Sequence, residues 1–216
     1  ASVSVANTMA EVCEKIGADW SEITPSLRLD KRIGQFSYIE PGLGISGGNL
    51  ERDLASVIRM SEEYSTDGGV VKAWIDNSYY RKDWPYRTLV EQVLENKPDA
   101  KIAILGLSYK ENTHSVKNSP SISLLKKLNL SNVMVYDPVV NVDDLDLNIE
   151  ISGSAYDAFN GADAAVIIAA WSEFKKLSLS KLSKLMAGNV FIDPYHLFER
   201  KDAEQEGLQY FTLGVS

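Results

Sequence analysis

The sequence is poor in the residues on which several classes of protein depend. Among its 216 residues it has one cysteine, Cys13, and only two histidines, His114 and His196. A single cysteine excludes an internal disulfide and is typical of a reducing compartment, so we expect a cytoplasmic protein. Isolated histidines without neighbouring cysteines or carboxylates predict no metal site. Because Cys13 lies on the apolar side of a predicted helix, we interpret it as a small buried hydrophobic residue.

Basic charge and long apolar runs are also scarce. The chain has 22 basic and 30 acidic residues and a net charge of −8, with an isoelectric point near 4.9. Proteins that bind nucleic acids need a basic face, so the composition argues against a nucleic-acid partner. No apolar run reaches the ~18 residues that span a membrane, and we therefore expect no membrane partner. Residues 1–10 lack the basic and leucine-rich segments of a secretory signal.

The length and the composition, 44% apolar and 24% charged, fit a folded protein with one large or two small domains. Residues 1–97 have helical periodicity around one glycine-rich loop. Residues 98–216 alternate short apolar runs with helical patterns, which predicts βαβ units and a parallel sheet. We therefore expect an α/β protein, with a helical domain over 1–97 followed by a doubly wound, mostly parallel α/β domain over 98–216.

The periodicity also predicts individual elements. In the first half we expect helices over 5–16, 50–64 and 70–94, the last kinked or split at Pro85. In the second half we expect a helix that begins at Pro120 with Ser119 as its N-cap. The other predicted elements of this half are helices over 155–161 and 179–186 and strands over 101–107, 133–136, 164–169, 190–192 and 209–213.

The densest glycine pattern lies at residues 41–49. Gly42, Gly44 and Gly47 satisfy the G-x-G-x-x-G pattern of dinucleotide-binding proteins. That pattern requires a buried strand before it, and a proline cuts short the one candidate strand, 36–39. We therefore favour a loop whose backbone N–H groups approach an oxygen-rich ligand.

The same loop contains a second pattern, the G-x-S-x-G of serine hydrolases. Gly44, Ser46 and Gly48 satisfy it, but a nucleophile elbow also needs a strand before it and a histidine as base. Only His114 and His196 are available for that role. A hydrolase that uses Ser46 is therefore the remote alternative.

A second candidate site follows the strand predicted at 101–107. Ligands of open α/β sheets bind outside the carboxyl ends of strands, and the helix predicted after Ser119 adds backbone N–H groups there. Lys110 and Lys117 would meet a phosphate at this place as point charges. A solvated loop with two surface lysines is the equally open alternative.

The order of motifs resembles the UDP-glucose/GDP-mannose dehydrogenase family over essentially the whole chain. Residues 7–19 resemble its central helix, 30–34 its D-x-R-I-G motif and 41–54 its active-site loop. The later landmarks are Gly106-Leu107-x-Tyr109-Lys110-x-x-Thr113, Ser119-Pro120, Tyr136-Asp137-Pro138, Ala162-Asp163 and residues 171–174. The order of these segments makes the resemblance specific.

This resemblance implies an NAD-dependent oxidation of the C6 alcohol of a UDP- or GDP-sugar to a carboxylate, as in polysaccharide biosynthesis. In the family a Rossmann domain binds NAD, central helices pair the subunits, and a C-terminal α/β domain holds the nucleotide. A nucleotide-sugar ligand and a homodimer through the central helices are therefore implied. The implied substrate-binding residues are Arg32, Gly42, Gly44, Tyr109, Lys110 and Lys117.

The chain departs from the family at its chemical positions. Asn49 occupies the position of the cysteine that captures the intermediate aldehyde, and an amide cannot act as that nucleophile. Asp53 is retained, and with Asn49 it forms the implied catalytic pair, while Pro194-Tyr195 replace the Gly-Arg of a late D-G-R motif. The Rossmann domain is missing, so we expect either a fragment of a longer protein or a natural truncation, in both cases inactive by itself. The start inside an amphipathic helix favours the fragment. A nucleotide-sugar-binding pseudoenzyme or regulatory subunit is the alternative to a dehydrogenase.

Overall fold

The computed structural model describes residues 1–141, 145, 147 and 149–216. It divides into two compact units, one of Ala1–Lys82 with Leu213–Ser216 and one of Asp83–Thr212. The second unit thus begins before the predicted boundary at 97. At its first residue, Asp83 makes an ion pair of 2.5 Å with Lys127 of the same unit. Further along, Tyr86 lines a cavity with residues of the sheet. The assignment of 1–97 and 98–216 as functional domains stays a prediction.

The first unit contains four helices in the part of the chain that is described. They are α1 (Ser2–Ile16), α2 (Trp20–Leu29), α3 (Asn49–Glu63) and α4 (Gly69–Lys82). The structure confirms the predicted helices at 5–16 and 50–64, and α1 ends at Gly17 in the left-handed conformation with φ 76°. The split predicted near Pro85 is also present, since α4 ends at Lys82 and a new helix begins at Trp84. Sequence periodicity missed α2, which contains Pro25.

A buried ion pair holds α1 against α4. Arg81 of α4 is fully buried, with its Nη2 2.9 Å from Glu14 Oε1 and its Nη1 3.4 Å from Glu11 Oε2 on α1. Glu14 Oε1 also accepts the backbone N–H of Gly214 at 2.8 Å. One carboxylate therefore binds both a helix partner and the C-terminal segment.

The apolar residues of α1 and α3 are largely left exposed in the first unit. None of the residues of α3 is buried within the described chain. Helix α1 buries Ala6, Ala10 and Cys13, but most of its large apolar side chains are exposed, namely Val5, Met9, Val12 and Ile16. The burial of Cys13 confirms its interpretation as a small core residue. Of the clustered aromatic residues after α3, Trp84 is buried, while Tyr79 and Tyr80 stay about half exposed.

The second unit is built around one parallel sheet. Its helices are α5 (Trp84–Leu89), α6 (Pro120–Leu125), α7 (Ala155–Phe159), α8 (Leu179–Leu185) and α9 (Arg200–Gln205), and a π-helical turn (Val90–Leu94) follows α5. Its strands are β1 (Ile102–Leu105), β2 (Val133–Tyr136), β3 (Glu150–Ile151), β4 (Ala164–Ile167), β5 (Val190–Ile192) and β6 (Gln209–Phe211). Short 3₁₀ turns lie at Leu130–Asn132 and Phe174–Lys176.

The six strands are all parallel and follow the order β3-β2-β1-β4-β5-β6. This confirms the predicted doubly wound fold. All predicted strands are present, several of them shorter at their ends. Sequence patterns missed β3, which has two residues, and α9. The order reverses between β1 and β4, and in such sheets ligands bind in the crevice outside the carboxyl ends at that point.

The core explains why the central strands form continuous apolar runs in the sequence. Every residue of β1, β4 and β5 is buried, which is typical of strands covered on both faces. Alanines of β1 and β4 leave room for the ring of Phe159 on α7, which meets Phe191 of β5 at 6.0 Å between centroids.

Asp163, just before β4, should make the stability of the fold depend on pH. Its carboxylate accepts the backbone N–H of Lys101 at 2.9 Å and a hydrogen bond from Lys97 Nζ at 3.0 Å. Burial raises the pKa of this carboxyl, but the hydrogen bonds and the two lysine charges outweigh it and lower the pKa below the ordinary 3.8. The ionised carboxylate therefore stabilises the folded protein above pH 3.8. This stabilisation is lost as the pH falls through the lower pKa that Asp163 has in the folded protein.

We expect Asp163→Asn to unfold at lower urea concentration than the unmodified protein at pH 7 and to converge with it below pH 3.8. Urea titrations at a series of pH values measure this difference. A gap between the two proteins that stays constant from about pH 7 to about pH 3 would contradict the assignment.

Candidate functional site

The glycine loop of the first unit is fixed to two helices by buried polar side chains. The backbone N–H of Gly42 donates to Asn7 Oδ1 of α1 at 2.8 Å. The N–H of Ile45 donates to Ser78 Oγ of α4 at 2.6 Å. Asn7 is 1% and Ser78 6% exposed. Neither residue was among the predicted site residues, because the backbone groups that they bind lie 35 and 33 residues away in the sequence.

Gly44 has a structural reason to be glycine. Its φ is +73°, and a Cβ added there would lie 2.3 Å from the Ser78 carbonyl oxygen. Neither the backbone conformation nor the space admits a side chain. Gly42 differs, because a Cβ added there would meet no atom within 4 Å. The predicted contact of both glycines with substrate stays a prediction.

Neither glycine pattern has the context that its chemistry needs. Residues 36–39 form no strand, and α3 begins directly after the loop. The nucleophile-elbow interpretation of Ser46 and the dinucleotide interpretation of Gly42, Gly44 and Gly47 therefore both lack their strand. The loop accordingly does not fit the pyrophosphate of NAD.

Asn49 and Asp53 lie at the start of α3. Asn49 is its first residue and is exposed, as is Asp53 four residues later on the same helix face. Arg52 binds Asp53 through a contact of 3.0 Å between Nη2 and Oδ1. A carboxamide at this helix start offers one hydrogen-bond donor group and one acceptor to a ligand, without a nucleophile.

Arg32 lies in an exposed loop of the same unit. Its side chain is 90% exposed and forms a two-point contact with Asp30, 2.5 Å from Nη2 to Oδ2 and 3.0 Å from Nε to Oδ1. The hydrogen bonds from Arg32 lower the pKa of Asp30, and the same pair raises the pKa of Arg32. The guanidinium thus stays charged and open to a ligand on its remaining side.

In the second unit, Asp137 joins the carboxyl ends of β1 and β2. Its Oδ2 accepts the N–H groups of Leu107 at 2.7 Å and Ser108 at 3.1 Å. Its Oδ1 accepts those of Val139 and Val140, both at 2.9 Å. Four backbone donors saturate this buried carboxylate, so its role is to shape the loop that leaves β1.

The loop between β1 and α6 carries three of the predicted site residues. Ser121 Oγ donates to the Leu107 carbonyl at 2.7 Å, and Ser108 Oγ donates to that of Lys110 at 2.9 Å. The Tyr109 N–H donates to the Ser115 carbonyl at 3.0 Å. This bonding leaves Tyr109 half-buried and both Lys110 and Lys117 exposed. Lys110 Nζ lies 5.4 Å from the centroid of the Tyr109 ring.

The loops after β1 and β4 are tied together beside the point where the strand order reverses. Glu111 accepts hydrogen bonds from the Ser172 N–H at 3.0 Å and from the Ser172 hydroxyl, and these bonds lower the pKa of Glu111. Tyr195 donates its hydroxyl proton to the Ile168 carbonyl, directly after β4, at 2.7 Å.

Asp193, directly after β5, repeats the arrangement at Asp137. Its carboxylate accepts the N–H groups of Leu197 at 2.6 Å and Tyr195 at 3.2 Å, and it lies 2.6 Å from the Tyr210 hydroxyl. Burial raises its pKa, against the opposite effect of these hydrogen bonds. Both aspartates follow a strand and precede a proline, so each shapes the loop at the carboxyl end of its strand.

Other kinds of site find no support in the part of the chain that the structure describes. No group of three or more histidines, cysteines or carboxylates there could hold a metal. Within the same residues, no helix is long and apolar enough to cross a membrane. His114 and His196 are exposed.

Comparison with protein families identifies the family of the chain. Residues 1–78 match the central domain of the UDP-glucose/GDP-mannose dehydrogenase family, and residues 103–200 match its UDP binding domain. The chain belongs to this family. The UDP binding domain covers β1 and the loop after it, where Tyr109, Lys110 and Lys117 lie.

Individual relatives agree with the family assignment. The chain is 31% identical to a UDP-glucose 6-dehydrogenase of Rickettsia conorii, with 98% of this chain and 50% of that protein covered. It is 26% identical to the UDP-glucose 6-dehydrogenase TuaD of Bacillus subtilis, with 98% and 47% covered. The chain therefore spans about half the length of the relatives that it matches.

Solved structures share the fold. The NDP-N-acetyl-D-galactosaminuronic acid dehydrogenase of Methanosarcina mazei has a TM-score of 0.82 at 23% identity, with 100% of this chain and 48% of that one covered. The UDP-D-ManNAc dehydrogenase of Pyrococcus horikoshii has a TM-score of 0.80 at 24% identity, with 99% and 48% covered. Family membership and the reversal of strand order make the carboxyl ends of β1 and β4 the candidate nucleotide site.

Proposed function

We propose that this chain is the nucleotide-sugar-binding part of a nucleotide-sugar 6-dehydrogenase-like protein. The observation that carries the proposal is the loop after β1, which Asp137 fixes at the strand-order reversal and which presents Tyr109 beside exposed Lys110 and Lys117. Ligands of open α/β sheets bind at this place, outside the carboxyl ends of the strands where the strand order reverses. The matched UDP binding domain supports a uridine nucleotide as the ligand.

The chemistry of the loop suits a nucleoside diphosphate. The two ammonium groups are strongly hydrated point charges that bind phosphate oxygens, and the Tyr109 ring offers an apolar surface for the base. Both lysines are exposed, on a chain whose net charge is −8. Binding should therefore weaken as salt screens the contact.

For the sugar, the proposal assigns roles to Asn49 and Asp53. Asn49 forms hydrogen bonds with sugar hydroxyls, and Asp53 orients water or neighbouring groups. Because a carboxamide forms no thiohemiacetal, oxidation through a covalent intermediate cannot use this position. NAD, where it takes part, would be bound by residues outside the loops described above. The alternative of a binding pseudoenzyme or regulatory subunit rests on this same Asn49.

The exposed side of α1 supports a homodimer. Val5, Met9, Val12 and Ile16 are each at least 44% exposed and lie at spacings of three and four residues. Four residues of α1, with Arg32 and Ile33, help to line an apolar cavity of about 500 Å³ in this unit. The proposed homodimer places a second copy of the chain over this side.

Calorimetric titration with UDP tests the proposed function. We expect Lys110→Ala to weaken UDP binding about tenfold, because a hydrogen bond to a charged group contributes about 1.5–3 kcal/mol. Lys117→Ala should have an effect in the same direction. The matched control is Lys184→Ala, an exposed lysine in the last turn of α8, which should leave UDP binding unchanged.

Two further outcomes separate the alternatives. Equal effects of Lys110→Ala and Lys184→Ala would contradict binding at the β1 loop. NADH formation by the full-length protein with UDP-glucose and NAD⁺ would exclude the pseudoenzyme, whereas UDP-glucose binding without NADH would favour it.

A further inference from the structure

We infer that Asn7 and Ser78 are positioning residues for the 41–49 loop, and that through it they set the affinity for the sugar part of the ligand. The inference rests on the proposed function, in which Asn49 contacts the sugar. Each of the two residues acts by binding the backbone of the loop rather than the ligand.

Side chains from three helices hold the loop at fixed points. Trp20 Nε1 of α2 donates to the Ile39 carbonyl at 2.8 Å, just before the loop. Asn7 of α1 accepts the Gly42 N–H, and Ser78 of α4 accepts the Ile45 N–H. All three side chains belong to residues more than nine-tenths buried, so water competes little for these bonds.

The loop also lies unusually close to α4. Gly44 is so near to Ser78 that an added Cβ would be 2.3 Å from its carbonyl oxygen and 2.8 Å from its Oγ. The loop backbone therefore packs directly on α4. Losing the Ser78 hydroxyl would remove an acceptor from the Ile45 N–H at the centre of this contact.

Asn49 lies a short distance along the chain from these fixed points. Only residues 46–48 separate the last of them, Ile45, from the first residue of α3. Any loosening at Ile45 therefore changes the start of α3 and the orientation of the Asn49 carboxamide. An amide that must be ordered on binding contributes less affinity, because its ordering costs conformational entropy.

The experiment uses Ser78→Ala, Asn7→Leu and Ser78→Thr, with UDP and UDP-glucose as ligands. We expect Ser78→Ala to lower the affinity for UDP-glucose about tenfold, the scale of one lost buried hydrogen bond, and to leave the affinity for UDP unchanged. Asn7→Leu should act in the same direction, and Ser78→Thr, which keeps the hydroxyl, should restore UDP-glucose binding. Hydrogen exchange of the Ile45 amide should accelerate at least about tenfold in Ser78→Ala.

The matched control is Ser56→Ala. Ser56 Oγ donates to the Arg52 carbonyl within α3 at 2.9 Å, so both readouts should stay as in the unmodified protein. Unaltered exchange at Ile45 in Ser78→Ala, or an equal loss of UDP and UDP-glucose affinity, would overturn the inference. If the unmodified protein bound neither ligand, the proposed function would fail, and the exchange result would still decide whether Ser78 fixes the loop.

Discussion

Replacing Arg81 with methionine should lower the free energy of unfolding by about 3–5 kcal/mol, the range for breaking a buried ion pair. Arg81 is fully buried and binds Glu14 at 2.9 Å and Glu11 at 3.4 Å. The substitution removes the cation that both carboxylates of α1 face, while methionine keeps most of the apolar volume. Urea unfolding followed by circular dichroism measures the change.

The control for this prediction is Lys72, which lies on the same helix as Arg81 and makes an exposed ion pair with α3. Lys72 binds Glu62 at 2.9 Å, and both side chains are more than half exposed. Lys72→Met should change stability by no more than about 1 kcal/mol, because solvent screens such pairs. Similar losses for Arg81→Met and Lys72→Met would show that burial does not strengthen the Arg81 contacts.

Replacing Asp137 with alanine should have the second large effect, on stability and on nucleotide binding together. The carboxylate accepts four backbone N–H groups, two from the loop after β1 and two from the turn after β2. Each buried donor left without an acceptor costs about 1–3 kcal/mol, so a total loss of more than about 3 kcal/mol is expected. Because the Leu107 and Ser108 backbone leads directly to Tyr109, UDP affinity should fall at least about tenfold.

The comparison for Asp137→Ala is Asp99→Ala. Asp99 is exposed in the turn before β1, and its backbone carbonyl, which is unaffected by the substitution, accepts from Asn132 Nδ2. We expect this variant to unfold and to bind UDP as the unmodified protein does. Calorimetry and urea unfolding give both values. An Asp137→Ala protein that loses stability but keeps full UDP affinity would mean that the loop shape does not matter for the nucleotide.

Much of the fold was predictable because its signals are local. Continuous apolar runs predicted β1, β4 and β5, since strands of a parallel sheet are covered on both faces. The N-cap Ser119, whose hydroxyl accepts the Ser121 N–H, followed from the Ser-Pro pair. The two-residue strand β3 is too short to form a recognisable apolar run. Helix α2 contains Pro25, a residue that is atypical of a helix interior, so the sequence pattern did not predict it.

The candidate site was predictable only in part, because its geometry depends on contacts distant in sequence. Lys110 and Tyr109 follow from the strand end and from the family resemblance. Asn7 and Ser78 lie 35 and 33 residues from the backbone groups that they bind, and no periodicity connects them. Arg81 is buried beside Glu14, a partner 67 residues away in the sequence. Such pairings appear only when the chain is folded.

The most direct test of nucleotide binding at the β1 loop is a titration of the isotopically labelled chain with UDP, followed by amide NMR. We expect the largest shifts at residues 106–117 and 168–172, which flank the strand-order reversal between β1 and β4. Shifts confined to the amino ends of β1 and β2, around the cavity of about 330 Å³ lined by Tyr86, Val90 and Val133, would contradict the assignment of the nucleotide site.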